Sequence, residues 1–219
     1  MKIPFAGLNN KRGWNKKMKK TKILTVIAVV LALLTVLACC GKVQSESLSA
    51  EAAAAYADFI RNSQFYSEDK VDAFGAIADI NADGKDELIL EVYASSVTVF
   101  AYDETSKEVV ELYSQNLGKG YNMQGYYNTE KHQVIFPSAS TGGKTYDVVE
   151  FSGSKADAVK TLRYINAKHS ESGAAEYLVD GQTVTAKEFE NTEKSLSEGF
   201  TGVDIAVTEI VSILDGAAG

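Results

Sequence analysis

The nine residues 79–87, which read DINADGKDE, constrain the fold of this chain more than any other stretch. Oxygen-bearing side chains occupy positions 1, 3, 5 and 9 of this run, and Gly84 occupies position 6, where the chain must turn sharply. Calcium prefers oxygen ligands, and this spacing can direct several of them at one cation. We therefore predict a structural Ca²⁺ site. Its ligands are the side chains of Asp79, Asn81, Asp83 and Glu87 and the backbone carbonyl of Lys85.

The residues on both sides of this loop predict strands. Residues 74–80 and 87–93 are short apolar runs with β-branched and aromatic residues, the pattern of a hairpin. An EF-hand lies between helices and closes with glutamate at position 12, where this chain has Leu90. We therefore predict a calcium hairpin over residues 74–93. The alternative is a metal-free polar turn, which Asn, Asp and Gly favour for local reasons but which does not require Asp79 and Glu87.

The fifteen residues 74–88, FGAIADINADGKDEL, resemble the calcium hairpin of FG-GAP and integrin-type propeller repeats. A propeller repeats its blade, whereas this sequence contains one copy of the motif. The resemblance therefore implies the hairpin and its calcium ligands but not the propeller fold. Single hairpins of this type behind a lipoprotein signal occur in secreted proteins of Gram-positive bacteria, which this chain also resembles.

The first 38 residues predict a lipoprotein signal peptide. Residues 1–22 contain eight Lys or Arg and no acid, and residues 23–38 are apolar apart from two threonines. This order of a charged and an apolar segment is typical of a secretory signal. A membrane helix needs about 20 apolar residues, so an uncleaved signal anchor is the alternative. Met18 already begins a complete charged segment, and residues 1–17 are then an over-long start.

The end of the signal predicts a lipid anchor. Residues 36–39 read VLAC and resemble the bacterial lipobox, which implies that Cys39 is lipidated and becomes the new amino terminus. Cys40 offers a rival frame. Residues 39–48 then form a tether, and the protein is anchored to the extracellular face of the bacterial cell membrane.

Charge argues against nucleic acid as a partner. Loss of the signal leaves 14 of 22 basic residues against 29 acidic residues, a formal charge of about −15. Nucleic-acid binding usually needs a basic patch. Residues 142–145, GGKT, end like a phosphate-binding loop, but Ser138 stands where that loop needs glycine, so we predict no nucleotide.

The remaining residues predict one α+β domain over residues 49–215. It contains an antiparallel β-meander or curled sheet, an N-terminal helix and one or two C-terminal helices. Ser49 caps an amphipathic helix over residues 50–62, and turn signals separate paired strands from there to residue 184. Thr185 and Glu188 form a capping box for a second helix. Residues 203–214 show a helical stripe, although their first residues alternate like a strand.

The sequence offers no catalytic constellation, so we predict a non-catalytic binding domain. His132 and His169 lack the spacing of a zinc site, and no nucleophile motif is present. Tyr121, Tyr126 and Tyr127 lie among amide residues and predict a surface for a glycan or a cell-surface protein. Strand tyrosines also cover sheet faces. The alternative functions are a secreted hydrolase with an unrecognised carboxylate pair and a carbohydrate-binding module that uses the tyrosine-rich face.

We expect the mature protein to begin at a lipid-modified Cys39, because a small residue precedes it and a polar tether follows. Mass spectrometry of the mature amino terminus tests this expectation. A Cys39→Ser variant should lose the lipid, whereas Cys40→Ser should keep it. An unmodified Cys39 inside an intact signal segment would leave the signal anchor as the explanation.

Overall fold

The computed structural model describes residues 47–63, 73–92, 96–116 and 123–219. Residues 46–219 belong to one compact unit. The predicted signal peptide, Cys39, residues 39–46 of the tether and Tyr121 lie outside the described residues. None of the helices in the described residues has the length and apolar character needed to cross a membrane.

Among the described elements, one helix precedes the strands, and two helices lie in the carboxy-terminal part of the domain. In chain order they are α1 (Ala50–Asn62), β1 (Ala73–Ala78), β2 (Glu87–Val92), β3 (Ser96–Asp103), β4 (Glu108–Asn116), β5 (Tyr126–Asn128), β6 (Gln133–Ser140), β7 (Gly143–Ser152), β8 (Lys155–Ile165), β9 (Glu176–Val179), β10 (Gln182–Thr183), α2 (Ala186–Leu196), β11 (Thr201–Gly202), β12 (Ile205–Ala206) and α3 (Val207–Ala218).

The strands form two antiparallel sheets. The five-stranded sheet has the order β12-β1-β2-β3-β4, and the seven-stranded sheet has the order β10-β9-β8-β7-β6-β5-β11. The predicted α+β class, with an N-terminal helix and one or two C-terminal helices, is confirmed, and the described residues contain two C-terminal helices. The meander is divided between two sheets because both faces of β2 are buried and each face needs a covering layer. Its residues 87–91 are all buried.

One core lies between the five-stranded sheet and the two helices α1 and α3. Tyr56 and Ile60 of α1 and Ile210 and Leu214 of α3 are completely buried against this sheet. Ser49 accepts a hydrogen bond from the Ala52 N–H at 3.1 Å, so α1 begins at the predicted cap. Burial of these apolar side chains fixes both terminal helices on the same face of the sheet.

A second core lies between the two sheets. Ile89 and Val99 of the five-stranded sheet pack with Phe136 and Phe151 of the seven-stranded sheet. The ring of Tyr113 lies 4.7 Å from that of Phe136, centroid to centroid. The domain therefore has three layers: helices, the five-stranded sheet and the seven-stranded sheet.

The carboxy-terminal region shows both patterns that its sequence contains. Thr185 Oγ1 accepts from the Glu188 N–H at 3.2 Å and Glu188 Oε2 accepts from the Thr185 N–H at 2.8 Å, which confirms the predicted capping box. Ile205–Ala206 is a short strand that pairs with β1, and the helix begins directly after it at Val207. The alternating residues and the helical stripe therefore describe two consecutive elements.

Glu91 connects the two sheets through a buried hydrogen bond. Its side chain is 4% exposed, and its Oε2 accepts from the Gly125 N–H at 2.7 Å. The Gly125 carbonyl in turn accepts from the Val203 N–H at 2.9 Å. Burial raises the pKa of Glu91 to about 7. The folded protein therefore holds this carboxyl in its neutral form at pH values where the unfolded chain ionises it.

Replacing Glu91 should change how stability depends on pH. The unfolded carboxyl has a pKa of about 4.3, so the folded state binds more protons between pH 5 and 8 and the wild type loses stability as the pH rises. Glu91→Gln keeps an oxygen that can accept from the Gly125 N–H. Between pH 5 and 8 its free energy of unfolding should fall by about 2 kcal/mol less than that of the wild type. Urea unfolding at pH 5 and 8 in chelator measures the difference.

The exposed Glu190 of α2 provides the control. Glu190→Gln removes one carboxylate from the surface and should keep the wild-type pH dependence. An unchanged pH dependence in Glu91→Gln would mean that Glu91 is already ionised in the folded protein at neutral pH.

Candidate functional site

The predicted calcium loop joins β1 to β2 and is closed by its own side chains. Asp79 Oδ1 accepts from the Ala82 N–H at 2.9 Å, and its Oδ2 accepts from the Gly84 N–H at 3.0 Å. Ala82 and Gly84 have φ angles of 64° and 81°. A Cβ at Gly84 would meet no atom within 4 Å, so glycine is favoured here by the backbone conformation and not by lack of space.

The next two predicted ligands continue this pattern. Asn81 Oδ1 accepts from the Asp83 N–H and Asp83 Oδ1 accepts from the Lys85 N–H, both at 2.9 Å. The Lys85 ammonium lies 3.0 Å from Glu104, so this side chain is directed to a neighbouring turn. Local hydrogen bonds thus hold the loop in a single turn around its oxygen-bearing side chains.

Glu87 is the buried acid of this loop. It is 1% exposed, and its two oxygens accept from the Asn81 Nδ2 at 2.8 Å and from the Ile80 N–H at 2.9 Å. Burial, followed by the charges of Asp83 and Asp79, raises the pKa of Glu87 to about 8. A cation bound beside Glu87 would oppose all of these effects, because it favours the ionised carboxylate.

The donor set of the loop suits a hard cation. Side-chain oxygens of Asp79, Asn81, Asp83 and Glu87 lie in the same turn, and oxygen is the ligand atom that calcium prefers. Within the described residues, no three Asp, Glu, His or Cys side chains are grouped as metal ligands. The three carboxylates of the predicted set, Asp79, Asp83 and Glu87, are therefore not grouped as metal ligands in this structure. The other two predicted oxygens come from the Asn81 amide and the backbone carbonyl of Lys85.

Asp86 has a role that the sequence did not indicate. Its Oδ1 accepts from Ser47 Oγ at 2.7 Å and its N–H donates to the Ser47 carbonyl at 3.2 Å. The buried Tyr56 hydroxyl donates to the Asp86 carbonyl at 3.1 Å. The hairpin loop is therefore bonded to the start of the domain through Ser47, 39 residues away, and to the middle of α1 through Tyr56, 30 residues away.

A cleft of about 710 Å³ lies on the seven-stranded sheet. We call it the tyrosine cleft. It is lined by Met123, Gln124, Tyr126, Ala139, Ser140, Thr141, Gly143, Lys144, Tyr146, Tyr164 and Asn166. Side chains alternate along a strand, and Phe136 and Phe151 face the five-stranded sheet. The cleft therefore occupies the opposite, outer face of the seven-stranded sheet.

Strand register and α2 build one side of this cleft. Lys144 of β7 pairs with Tyr164 of β8, which pairs with Tyr177 of β9. The Tyr164 and Tyr177 rings are 5.2 Å apart, and the Tyr177 ring lies 5.5 Å from Phe189 of α2. Phe189 is 1% exposed. Tyr164 is therefore supported by a row of rings that ends in a buried anchor.

Glu193 of α2 joins two side chains that line the cleft. It accepts a hydrogen bond from the Tyr146 hydroxyl at 2.6 Å and forms an ion pair with the Lys144 ammonium through the same oxygen. The ammonium also lies 5.8 Å from the ring centre of Phe189. Burial and then the hydrogen bond to Glu193 raise the pKa of Tyr146. Tyr146 therefore stays protonated and donates its hydroxyl hydrogen to Glu193. The positive charge of Lys144 is balanced by the same carboxylate.

The turn between β6 and β7 requires glycine for close packing. Gly143 has φ 149°, and a Cβ there would lie 1.9 Å from the Tyr164 carbonyl oxygen. The Gly142 carbonyl accepts from the Asn166 N–H at 2.8 Å, which places Asn166 at the cleft. Residues 142–145 therefore form a hairpin turn and the start of a strand, whereas a phosphate-binding loop leads from a strand into a helix.

The predicted tyrosine surface does not form as a unit. Tyr126 lines the cleft, but Tyr127 packs against the core between the sheets because neighbouring strand residues point to opposite faces. Tyr121 lies outside the described residues. The sequence did not predict Tyr146 and Tyr164 as site residues. The order of the strands in the sheet places them in the same cleft as Tyr126, and no local sequence pattern marks that arrangement.

No family model matches the sequence, and no curated protein matches it. A similar solved structure is described as "Structure of a Xanthomonas Type IV Secretion System related protein". It is 15% identical with a TM-score of 0.31, and the match covers 55% of this chain and 60% of that chain. A match this weak carries no argument about function.

Proposed function

We propose that this chain is a bacterial cell-surface lipoprotein with a calcium-stabilised, non-catalytic domain that binds an extracellular ligand in the tyrosine cleft. The observation that carries the proposal is the lining of the cleft. Tyr126, Tyr146 and Tyr164 combine ring surface with polar tips, and Gln124 and Asn166 add amides. A concave site of this size with aromatic walls and a few polar groups is typical of a ligand site.

The cleft supports binding more than hydrolysis. Hydrolysis of a glycosidic bond uses two carboxyl groups about 5 to 10 Å apart, one of them free to give or take a proton. Glu193, the carboxylate bound to the cleft wall, already accepts from Tyr146 and pairs with Lys144. This arrangement holds wall side chains in position, which is what a binding site requires.

The calcium proposal rests on the loop of the hairpin. Asp79, Asn81 and Asp83 place oxygens in one turn, and the buried Glu87 closes it with a carboxyl that a cation would favour in its charged form. We propose that calcium there is structural, because the hairpin packs into both cores through Ile80 and Leu88. The tyrosine cleft, on the outer face of the other sheet, would hold the ligand.

The surface location rests on the amino terminus. A basic segment, an apolar run and the VLAC sequence at residues 36–39 precede a domain that begins near residue 47. Lipid on Cys39 would leave a short tether before the first described residue. The acidic balance of the remaining chain suits an extracellular protein that meets divalent cations.

Calcium should stabilise the domain modestly. Extracellular calcium modules bind at roughly 10⁻⁴ to 10⁻³ M, so about 1 mM calcium should add on the order of 0.4 to 1.4 kcal/mol. We expect the melting temperature of residues 46–219 to rise by about 1 to 5 °C. Magnesium should not reproduce the rise, because it demands a stricter octahedron. Differential scanning calorimetry after chelator treatment measures both.

Two turn aspartates provide a matched pair of variants. Asp83 and Asp103 each accept a hydrogen bond from the N–H two residues further on, at 2.9 Å and 2.8 Å. Asp83→Ala should abolish the calcium response, whereas Asp103→Ala should retain it. Equal responses in both variants, or a wild-type melting temperature that ignores millimolar calcium, would contradict the site.

Binding to cells should depend on the tyrosine cleft. Fluorescently labelled residues 46–219 should bind bacterial cell surfaces. Tyr126→Ala should weaken that binding about tenfold, because loss of one aromatic contact costs up to about 1.4 kcal/mol. Ile213→Ala removes a side chain that is 45% exposed on α3 and should bind normally. Flow cytometry at equal protein concentrations measures the ratio. Equal binding by both variants would exclude the cleft as the ligand site.

A further inference from the structure

We propose that the ligand of the tyrosine cleft is a neutral saccharide of a few rings. The inference rests on the proposed function and names the class of its ligand. A sugar ring has a face of C–H groups and a rim of hydroxyls, so its binding site needs aromatic surface beside groups that both donate and accept hydrogen bonds. The described lining of the cleft supplies both kinds of surface.

Aromatic surface comes from three different strands. Tyr126, Tyr146 and Tyr164 lie on β5, β7 and β8 and are each partly buried, so part of each side chain remains open to the cleft. The rows of paired residues across these strands fix their spacing. Tyr164 is further held by its contact with Tyr177. Rings held in this way offer contact area with little entropy left to lose on binding.

Polar groups at the cleft match hydroxyls better than ions. The amides of Gln124 and Asn166 each carry donors and an acceptor, and the hydroxyls of Ser140 and Thr141 do the same. A sugar hydroxyl also donates and accepts. A carboxylate or phosphate only accepts, and it would call for cationic partners with free charge.

The charges of the site argue for a neutral ligand. Among the described residues that line the cleft, Lys144 is the one charged side chain, and Glu193 neutralises it. An anion would have to compete with Glu193 for that ammonium. A basic ligand would have to compete with Lys144 for Glu193. Neither partner is free, and a neutral polyhydroxylated ligand leaves this pair intact.

The dimensions of the cleft suit more than one sugar ring. Its volume of about 710 Å³ lies within the range of small-molecule sites. The lining residues extend from Met123 and Gln124, just before β5, across the turn between β6 and β7, to Asn166, just after the end of β8. A short oligosaccharide lying across the strand ends would contact both Tyr126 and Tyr164.

The test uses residues 46–219, which contain both cores, and soluble neutral hexasaccharides of glucose, N-acetylglucosamine, mannose and galactose. We expect at least one series to bind by isothermal titration calorimetry. Tyr164→Ala should weaken that binding about tenfold, and Tyr164→Phe should change it by less than about threefold because the ring remains. Raising sodium chloride from about 0.05 to 0.5 M should leave the affinity unchanged, since screening acts on charges.

A second variant covers the case in which Tyr164→Ala does not fold. Gln124→Ala removes one amide from the cleft and should weaken saccharide binding while the protein keeps its wild-type melting temperature. A folded Gln124→Ala variant with unchanged affinity would place the saccharide elsewhere and overturn the inference.

The outcomes separate this inference from the proposed function. If Tyr126→Ala reduces binding to cells but none of the hexasaccharides binds, or if a peptide and no sugar competes for the cleft, the saccharide inference is wrong and the binding function stands. If Tyr126→Ala leaves binding to cells unchanged, and none of the hexasaccharides binds, both are wrong.

Discussion

The rest of this structure depends on the burial of both faces of β2. Leu88 and Leu90 pack under the terminal helices, and Ile89 packs against the seven-stranded sheet. A central strand with two buried faces cannot be covered by one layer, so the five-stranded sheet becomes the middle of three. This arrangement leaves the outer face of the seven-stranded sheet free, and α2 covers part of it. The tyrosine cleft is therefore a product of layer order as much as of its own residues.

The hairpin and the cleft differ in how their residues come together. Asp79, Asn81, Asp83 and Glu87 lie within one turn, and hydrogen bonds inside that turn organise them. Tyr126 and Tyr164 lie on β5 and β8, with β6 and β7 between them in the sheet. Glu91 contributes through Gly125 just before β5. A local site tolerates movement elsewhere in the domain. A site whose residues lie on different strands depends on the pairing of every strand between them.

This difference explains how much could be predicted from the sequence. Helix starts at Ser49 and Thr185 and the fold class rest on signals within a few residues, and the structure confirms them. The contacts Glu91 to Gly125, Ser47 to Asp86 and Lys144 to Glu193 span 34 to 49 residues. No local pattern marks such pairs. Tyr127 illustrates the same limit, because one position along a strand decides between a cleft and a core.

The attachment of Ser47 to Asp86 has a mechanical consequence. A force that pulls the chain at residue 47 acts first on these hydrogen bonds, before it reaches the first turn of α1. Part of the load then passes into the loop between β1 and β2 at Asp86, one residue from the buried Glu87, and the rest follows the backbone into α1. Whatever stiffens residues 79–87 would therefore raise the tension that the domain withstands at its amino-terminal end. The hairpin thus lies on the load path between the start of the domain and its two cores.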